Sequence, residues 1–191
     1  MVIMGGPQQR APLLTTDYRM YELHQNEQYF FNDQTVTHLA DFMSQFDKPC
    51  CLCTPLVGQE LERRGIEVRT LDMDDRFASL RGFRAYDLYK PEWLGEEYGL
   101  ILCDPPYFGV SLSQLFAAIR ILSRYDTSQP LLLTYLTRRA PNLLGTFAPF
   151  GLQPTGYYPG FQTVQKVDRN QIEFYGNLGT EMHETLRSIV A

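Results

Sequence analysis

The sequence predicts an α/β fold: a mostly parallel sheet, covered on both faces by helices, that ends in an antiparallel hairpin. Three observations point to it. Short apolar runs alternate with segments of helical periodicity, as in parallel sheets fed by crossover helices. Two strand-like runs, 151–158 and 172–175, then follow one another with no helical pattern between them. Polar residues gather just beyond three of the apolar runs, where open α/β sheets place their ligands.

Taken in order, residues 1–20 carry little pattern and read as a flexible tail, so the expected domain is 21–191. Gln28-Tyr29-Phe30-Phe31 is an aromatic patch before the first helix. Val36, Leu39, Ala40, Met43 and Phe46 recur at helical spacing, and Asn32 or Asp33 can cap the start. Pro49 ends that helix, and 50–53 reads as a strand with Cys51 and Cys53 on one face and Cys50 on the other. Thr54-Pro55 suits an N-cap followed by proline at the first helical position, and Gly65 stops the helix. Ile66, Val68 and Leu71 suggest a second strand, closed by Asp72, Asp74 and Asp75. The stretch 76–93 is irregular. The segment 98–103 has the apolar character of a strand buried on both faces.

Beyond it, Ser111 or Ser113 begins a helix carrying Leu115, Phe116, Ile119 and Leu122. Pro130 opens the strand 131–136, and the short helix that follows is interrupted by Pro141. From Thr180, Met182, Leu186 and Ile189 share one helical face that can dock on the body.

Composition narrows the function classes. A chain of 191 residues, 44% hydrophobic and 20% charged, suits one globular domain. Its formal net charge of −5 argues against general nucleic-acid binding, which leans on clustered Lys and Arg. The four cysteines lack the spacing of a zinc site and read as small buried thiols of a reduced compartment. The histidines are scattered, which leaves a metal hydrolase without ligands, and there is no Gly-rich phosphate loop. With no leader pattern or apolar span, the expected setting is cytoplasmic.

The richest segment is Asp104-Pro105-Pro106-Tyr107, directly after Leu100-Ile101-Leu102-Cys103. The prolines fix φ and push the residues before them out of helix, so a buried strand ends in a stiff extended corner. The Asp104 carboxylate and the backbone carbonyls can point the same way, with the Tyr107 ring beside them. Such a corner can accept both hydrogens of an amine and cover its face.

An acidic or polar residue, two prolines and an aromatic after a strand resemble the signature of S-adenosylmethionine-dependent amino-group methyltransferases. Four blocks, spanning Gln28 to Gly179, extend the likeness: Gln28-Tyr29-Phe30-Phe31-Asn32, Leu71-Asp72-Met73-Asp74-Asp75-Arg76-Phe77, Tyr86-Asp87-Leu88-Tyr89-Lys90-Pro91, and the corner itself. In that order they resemble the N6-adenine methyltransferase-like family that includes the eukaryotic elongation factor 1A lysine methyltransferase 1 group. Two segments depart from expectation. The loop Cys53-Thr54-Pro55-Leu56-Val57-Gly58 is not glycine-rich, and Phe108-Gly109-Val110-Ser111 is more apolar than the group's pattern.

The resemblance implies a class I, Rossmann-like methyltransferase fold, S-adenosylmethionine as cofactor, and transfer to nitrogen. It assigns Asp104 and the Pro105 carbonyl to the acceptor amine, on the corner that Pro106 stiffens, and Tyr107 to the acceptor or its stem. Asp72 or Asp74 would accept from the cofactor's ribose hydroxyls and Asp87 from its adenine amino group. Thr54 and Pro55 would form the loop under the cofactor, and Phe30 part of a lid. Protein lysine, in a translation factor, is the expected acceptor. Adenine in DNA or RNA is the alternative, and a catalytically inactive binding module a further one.

Overall fold

The structure is a computed structural model that describes residues 22–188. The expected tail at 1–20 and Ile189 lie outside the described residues. Seven strands form one sheet in the order β3-β2-β1-β4-β5-β7-β6. These are β1 (Cys50–Leu52), β2 (Arg69–Asp72), β3 (Phe83–Ala85), β4 (Ile101–Cys103), β5 (Leu131–Leu136), β6 (Gln153–Pro154) and β7 (Ile172–Gly176). The first five run parallel. β7 is antiparallel to β5 and β6 antiparallel to β7, the expected closing hairpin.

The strand alternation sorts the core into two layers. Cys50, Leu52, Ile101, Cys103, Leu131, Leu133 and Tyr135 face one side. There they meet Leu115, Ile119 and Leu122 of α3 (Leu112–Leu122) and Leu143 of α4 (Ala140–Thr146). Cys51, Leu102, Leu132 and Phe174 face the other. They pack under Leu39, Phe42 and Met43 of α1 (Asp33–Met43), Val57 and Leu61 of α2 (Pro55–Arg63), and Leu186 of α5 (Thr180–Ser188). Met182 joins this layer too, so the docking of the last helix is as its apolar face suggests. Among the described residues no helix is long and apolar enough to cross a membrane.

Helix boundaries follow local chemistry. The Asn32 side chain accepts from the Thr35 N–H at 2.9 Å and starts α1. Ser111 caps α3 in the same way, through the Gln114 N–H. Pro55 opens α2, and Gly65, at φ +80°, follows its end.

Five details differ from the sequence expectation. β3 falls inside the stretch read as irregular; its Arg84 and Ala85 are exposed, so no alternation advertises it. Ile66 and Val68 precede β2 rather than belong to it. β6 is only two residues long. Pro141 sits in the first turn of α4, where proline is tolerated, and does not interrupt it. Cys53 packs on the Cys50 side, because the strand stops at Leu52 and Cys53 turns to φ +57°.

Candidate active site

β1 and β4 are neighbours in the sheet although helices and two strands separate them in sequence, so the chain reverses its winding between them. That is the switch point at which α/β sheets open a crevice. Leu52 is in register with Leu71 and with Cys103. Asp72, Cys53 and Asp104, each one residue further, therefore stand side by side at the carboxyl edge. Adjacent strands are about 4.8 Å apart, which sets Asp72 and Asp104 roughly 10 Å apart across Cys53. The charges of both carboxylates bear on the Cys53 thiol, which burial already holds well above its ordinary value.

Asp104 is the most constrained of the three. Its Oδ1 accepts from the Tyr107 hydroxyl at 2.8 Å and from the Thr134 hydroxyl on β5. Tyr107 Oη also lies 3.0 Å from Thr134 Oγ1. No cation pairs with Asp104 among the described residues, and Oδ2 is left for another donor. Burial pushes the carboxyl up to about 7, against the downward pull of the Thr134 and Tyr107 hydroxyls. Near neutral pH it can both hold and take a proton.

The Tyr107 ring turns inward with that hydroxyl and meets Tyr135 edge-on, 5.4 Å between centroids. The outward-facing ring of the corner is Phe108, 67% exposed. The guanidinium groups of Arg139 and Arg138 lie 5.5 and 6.0 Å from its centre. Thr134 escaped the sequence reading, because a lone threonine in an apolar strand reads as an ordinary strand former. Phe108 did not: the apolar segment it opens after the corner is one the sequence singles out, as a stretch to touch the acceptor.

Asp72 and Asp74, two residues apart, have opposite surroundings. Asp72 is held by N–H groups of its own turn, including that of Asp74 at 2.9 Å. Burial pushes it up to about 6. Asp74 is also buried, with its side chain 7% exposed. It accepts from Gln28 Nε2 at 2.7 Å and from Arg76 Nε at 2.8 Å, and it pairs with the Arg76 guanidinium. Burial would raise it, but Arg76 and Gln28 overcome that and hold it below the usual carboxylate range. Its oxygens are spent on this knot, whereas those of Asp72 can still accept from hydroxyls.

The remaining expected residues fall around the same edge. Asp87 follows β3 and accepts from the Tyr89 N–H at 2.9 Å. Thr54 is buried beneath the first loop, against the Cys51 thiol, and Pro55 is buried at the start of α2. The glycine of that segment, Gly58, lies inside α2 and has a packing duty. A Cβ on Gly58 would stand 2.1 Å from Thr70 Oγ1, so α2 can lie this close to β2 only without a side chain there. Phe30 is buried edge-on to Phe77, 6.1 Å between centroids, and the exposed ring of its block is Tyr29.

The segment from Glu22 to Phe31 forms a strap across the edge. Glu27 Oε2 accepts from the N–H groups of Phe108 and Gly109 at 3.1 and 2.6 Å, while Gln28 holds Asp74. Two clefts lie elsewhere: about 380 Å³ at the amino edge, lined by Arg69, Glu96 and Lys48, and about 450 Å³ beside His38 and Tyr158. Neither is lined by Asp72 or Asp104.

The residues at the carboxyl edge fit S-adenosylmethionine. Its sulfonium and ammonium suit an edge where Asp104 has no ion pair among the described residues and Asp72, although the Arg76 charge reaches it, keeps acceptor capacity at the strand end for a ribose. The fold agrees. It is similar to that of a TehB-like S-adenosylmethionine-dependent methyltransferase from Corynebacterium glutamicum, with TM-score 0.52, 13% identity, and 75% of this chain and 86% of that one covered. A methyltransferase from Leishmania major aligns with TM-score 0.48 at 7% identity, over 75% of this chain and 71% of that one. No curated protein matches the sequence. A family model described as probable N6-adenine methyltransferase matches residues 22–179. The chain therefore belongs to the probable N6-adenine methyltransferase family and is an S-adenosylmethionine-dependent methyltransferase.

Proposed function

We propose that the acceptor is the side-chain amine of a lysine in a protein, with a translation factor as the kind of target the sequence resemblance suggests. The observation that carries this reading is the buried Asp104 carboxyl, raised to about 7 and without a cationic partner among the described residues. A lysine enters as an ammonium with an ordinary pKa of about 10.4 and must lose a proton before it can attack. Adenine's amino group is already neutral and does not need a base at that stage. A carboxylate with no cation beside it both attracts the ammonium and accepts its proton, and the apolar corner lowers the amine's own pKa.

The roles follow from the edge. S-adenosylmethionine supplies an electrophilic methyl group on sulfur when bound. Asp104 Oδ2 and the Pro105 carbonyl hold the amine hydrogens so that the nitrogen lone pair points away from them, and Pro106 stiffens the turn that aims both. Before that, Asp104 Oδ2 takes a proton from the entering ammonium and releases it to water, so that the carboxylate is again an acceptor when the neutral amine is held. Asp72 accepts from the ribose hydroxyls and Asp87 from the adenine amino group. Thr54 and Pro55 shape the loop beneath the methionine end. Phe30 sits under the strap, whose Glu27 and Gln28 tie the acceptor corner to the cofactor side. The cytoplasm is the proposed setting, supported by four unbridged thiols.

A second reading has its own observation. Phe108, exposed beneath two guanidinium groups, is a surface on which a nucleobase can stack while the arginines meet phosphate. It favours adenine in DNA or RNA, extruded to reach the corner. The test is methyl-labelled S-adenosylmethionine with purified enzyme and cell lysate. Label released by protease and kept after nuclease supports lysine. Label released by nuclease replaces lysine with adenine.

A further inference from the structure

β5 contributes six consecutive buried residues, Leu131-Leu132-Leu133-Thr134-Tyr135-Leu136. Thr134 is wholly buried among them, where valine would fill the same space without a polar atom. Burying a hydroxyl is unfavourable unless it is bonded. Cys103 is in register with Leu133, so Thr134 stands beside Asp104. Its hydroxyl donates to Asp104 Oδ1, the oxygen that also receives the Tyr107 hydroxyl.

We propose that Thr134 is a positioning residue for methyl transfer: its hydroxyl fixes the Asp104 carboxyl through Oδ1, so that Oδ2 faces the acceptor amine. The inference rests on the reading of Asp104 as the group that receives the amine. It adds a consequence for pH. A donor to the carboxylate favours the ionised form, so Thr134 lets Asp104 act as a base at lower pH than burial alone would allow.

The other titratable groups facing Asp104 are the Tyr107 phenol in its own corner, the Cys103 thiol on β4 and the Cys53 thiol after β1. Burial holds all three far above their ordinary values, so none changes charge between pH 5 and about 9. Asp72 lies beyond Cys53 and belongs to the cofactor side. Saturating S-adenosylmethionine at every pH keeps its protonation out of the rate. Arg139 reaches the Tyr107 carbonyl at 3.1 Å, not the carboxyl.

The experiment is the pH profile of kcat for Thr134→Val and Thr134→Ser, with S-adenosylmethionine affinity and thermal unfolding measured on the same samples. Thr134→Val should slow transfer at pH 7 by on the order of tenfold or more, the loss of one charge-assisted bond. Its acid limb should move up by about one pH unit. S-adenosylmethionine affinity should stay within a few-fold, and Thr134→Ser should restore both rate and limb. Should the valine variant fail to fold, Thr134→Ala takes its place in the same series. A folded hydroxyl-free variant with the wild-type rate and limb overturns the proposal. So does a slower variant whose limb has not moved, or one that serine does not rescue. Asp104→Asn separates the two levels. If it transfers methyl as fast as wild type, the Asp104 reading itself has failed; if it is inactive while Thr134→Val matches wild type, only the role of Thr134 falls.

Discussion

The two ends of the same strands handle charge in opposite ways. At the amino edge, Arg69 donates to Glu96 through Nε at 2.8 Å and also through Nη2, and these bonds hold Glu96 below its ordinary value. Glu62 there accepts from the N–H groups of Arg81 and Gly82 at 2.9 and 2.6 Å. At the carboxyl edge, Asp104 is bonded only by hydroxyls and Asp72 by N–H groups of its turn, with the Arg76 charge a lesser pull on it, and burial raises both. The fold satisfies its charges where they only support structure. Where a cationic ligand and an amine are to be received, it leaves Asp104 without an ion pair among the described residues and Asp72 under-compensated, and tolerates the cost. Asp74 sharpens the contrast, because it stands at the functional edge yet is tied off by Arg76 and Gln28 as a strut.

The largest expected effect is on stability against pH. A carboxyl raised in the folded state contributes stability that is complete below its unfolded pKa near 4 and is lost as pH rises through the folded value. For Asp104, raised to about 7, the loss between pH 4 and pH 8 is on the order of 4 kcal/mol. Asp72, at about 6, adds to it in the same direction. Glu96 and Asp74, held low, act oppositely: their stability is present above the unfolded pKa and is lost as pH falls. Denaturant unfolding should therefore give a more stable protein at pH 5.5 than at pH 8, and Asp104→Asn should flatten that slope. A wild-type curve flat over this range breaks the comparison.

Next in size is the strut. Asp74→Ala removes the carboxylate that Arg76 and Gln28 Nε2 share, leaving Arg76 on Gln28 Oε1, and should cost about 2–3 kcal/mol by denaturant unfolding. Asp72→Asn should behave differently. It removes a buried charge, so stability at pH 8 should rise, while affinity for S-adenosylmethionine by calorimetry should fall about tenfold, roughly 1.4 kcal/mol. Equal affinities for the Asp72→Asn variant and wild type would move the ribose contact elsewhere. Smallest of all, Glu96→Gln removes a half-exposed pair and should cost less than about 1 kcal/mol, with turnover unchanged. A large loss of turnover there would mean that the amino edge is not merely structural.

Much of this architecture is legible in the sequence because periodicity reports burial. Leu39, Ala40 and Met43 announce α1, and the apolar runs announce β1, β4 and β5. Asn32 marks a helix start by its side-chain cap and Pro55 by its place in the first turn, both local chemistry, although Thr54 stands before α2 without the expected side-chain cap. β3 was hidden, because an exposed three-residue strand leaves no pattern. Cys53 changed sides for a related reason: alternation holds only while the strand lasts. At the site, Asp104 stood out because the two prolines after it constrain the backbone. The inward turn of Tyr107 did not, because it depends on Thr134, which only the β4–β5 register brings beside it. Likewise, nothing near Asp72 and Asp74 says which one is tied off, since Gln28 arrives from the strap.

The most direct measurement is methyl transfer by Asp104→Asn at pH 8 under saturating S-adenosylmethionine, with cofactor affinity determined on the same preparation. Asparagine keeps the shape and removes the base. The rate should fall by on the order of a thousandfold while affinity stays within a few-fold. A variant that binds the cofactor and still methylates at the wild-type rate would contradict the placement of the amine at this corner.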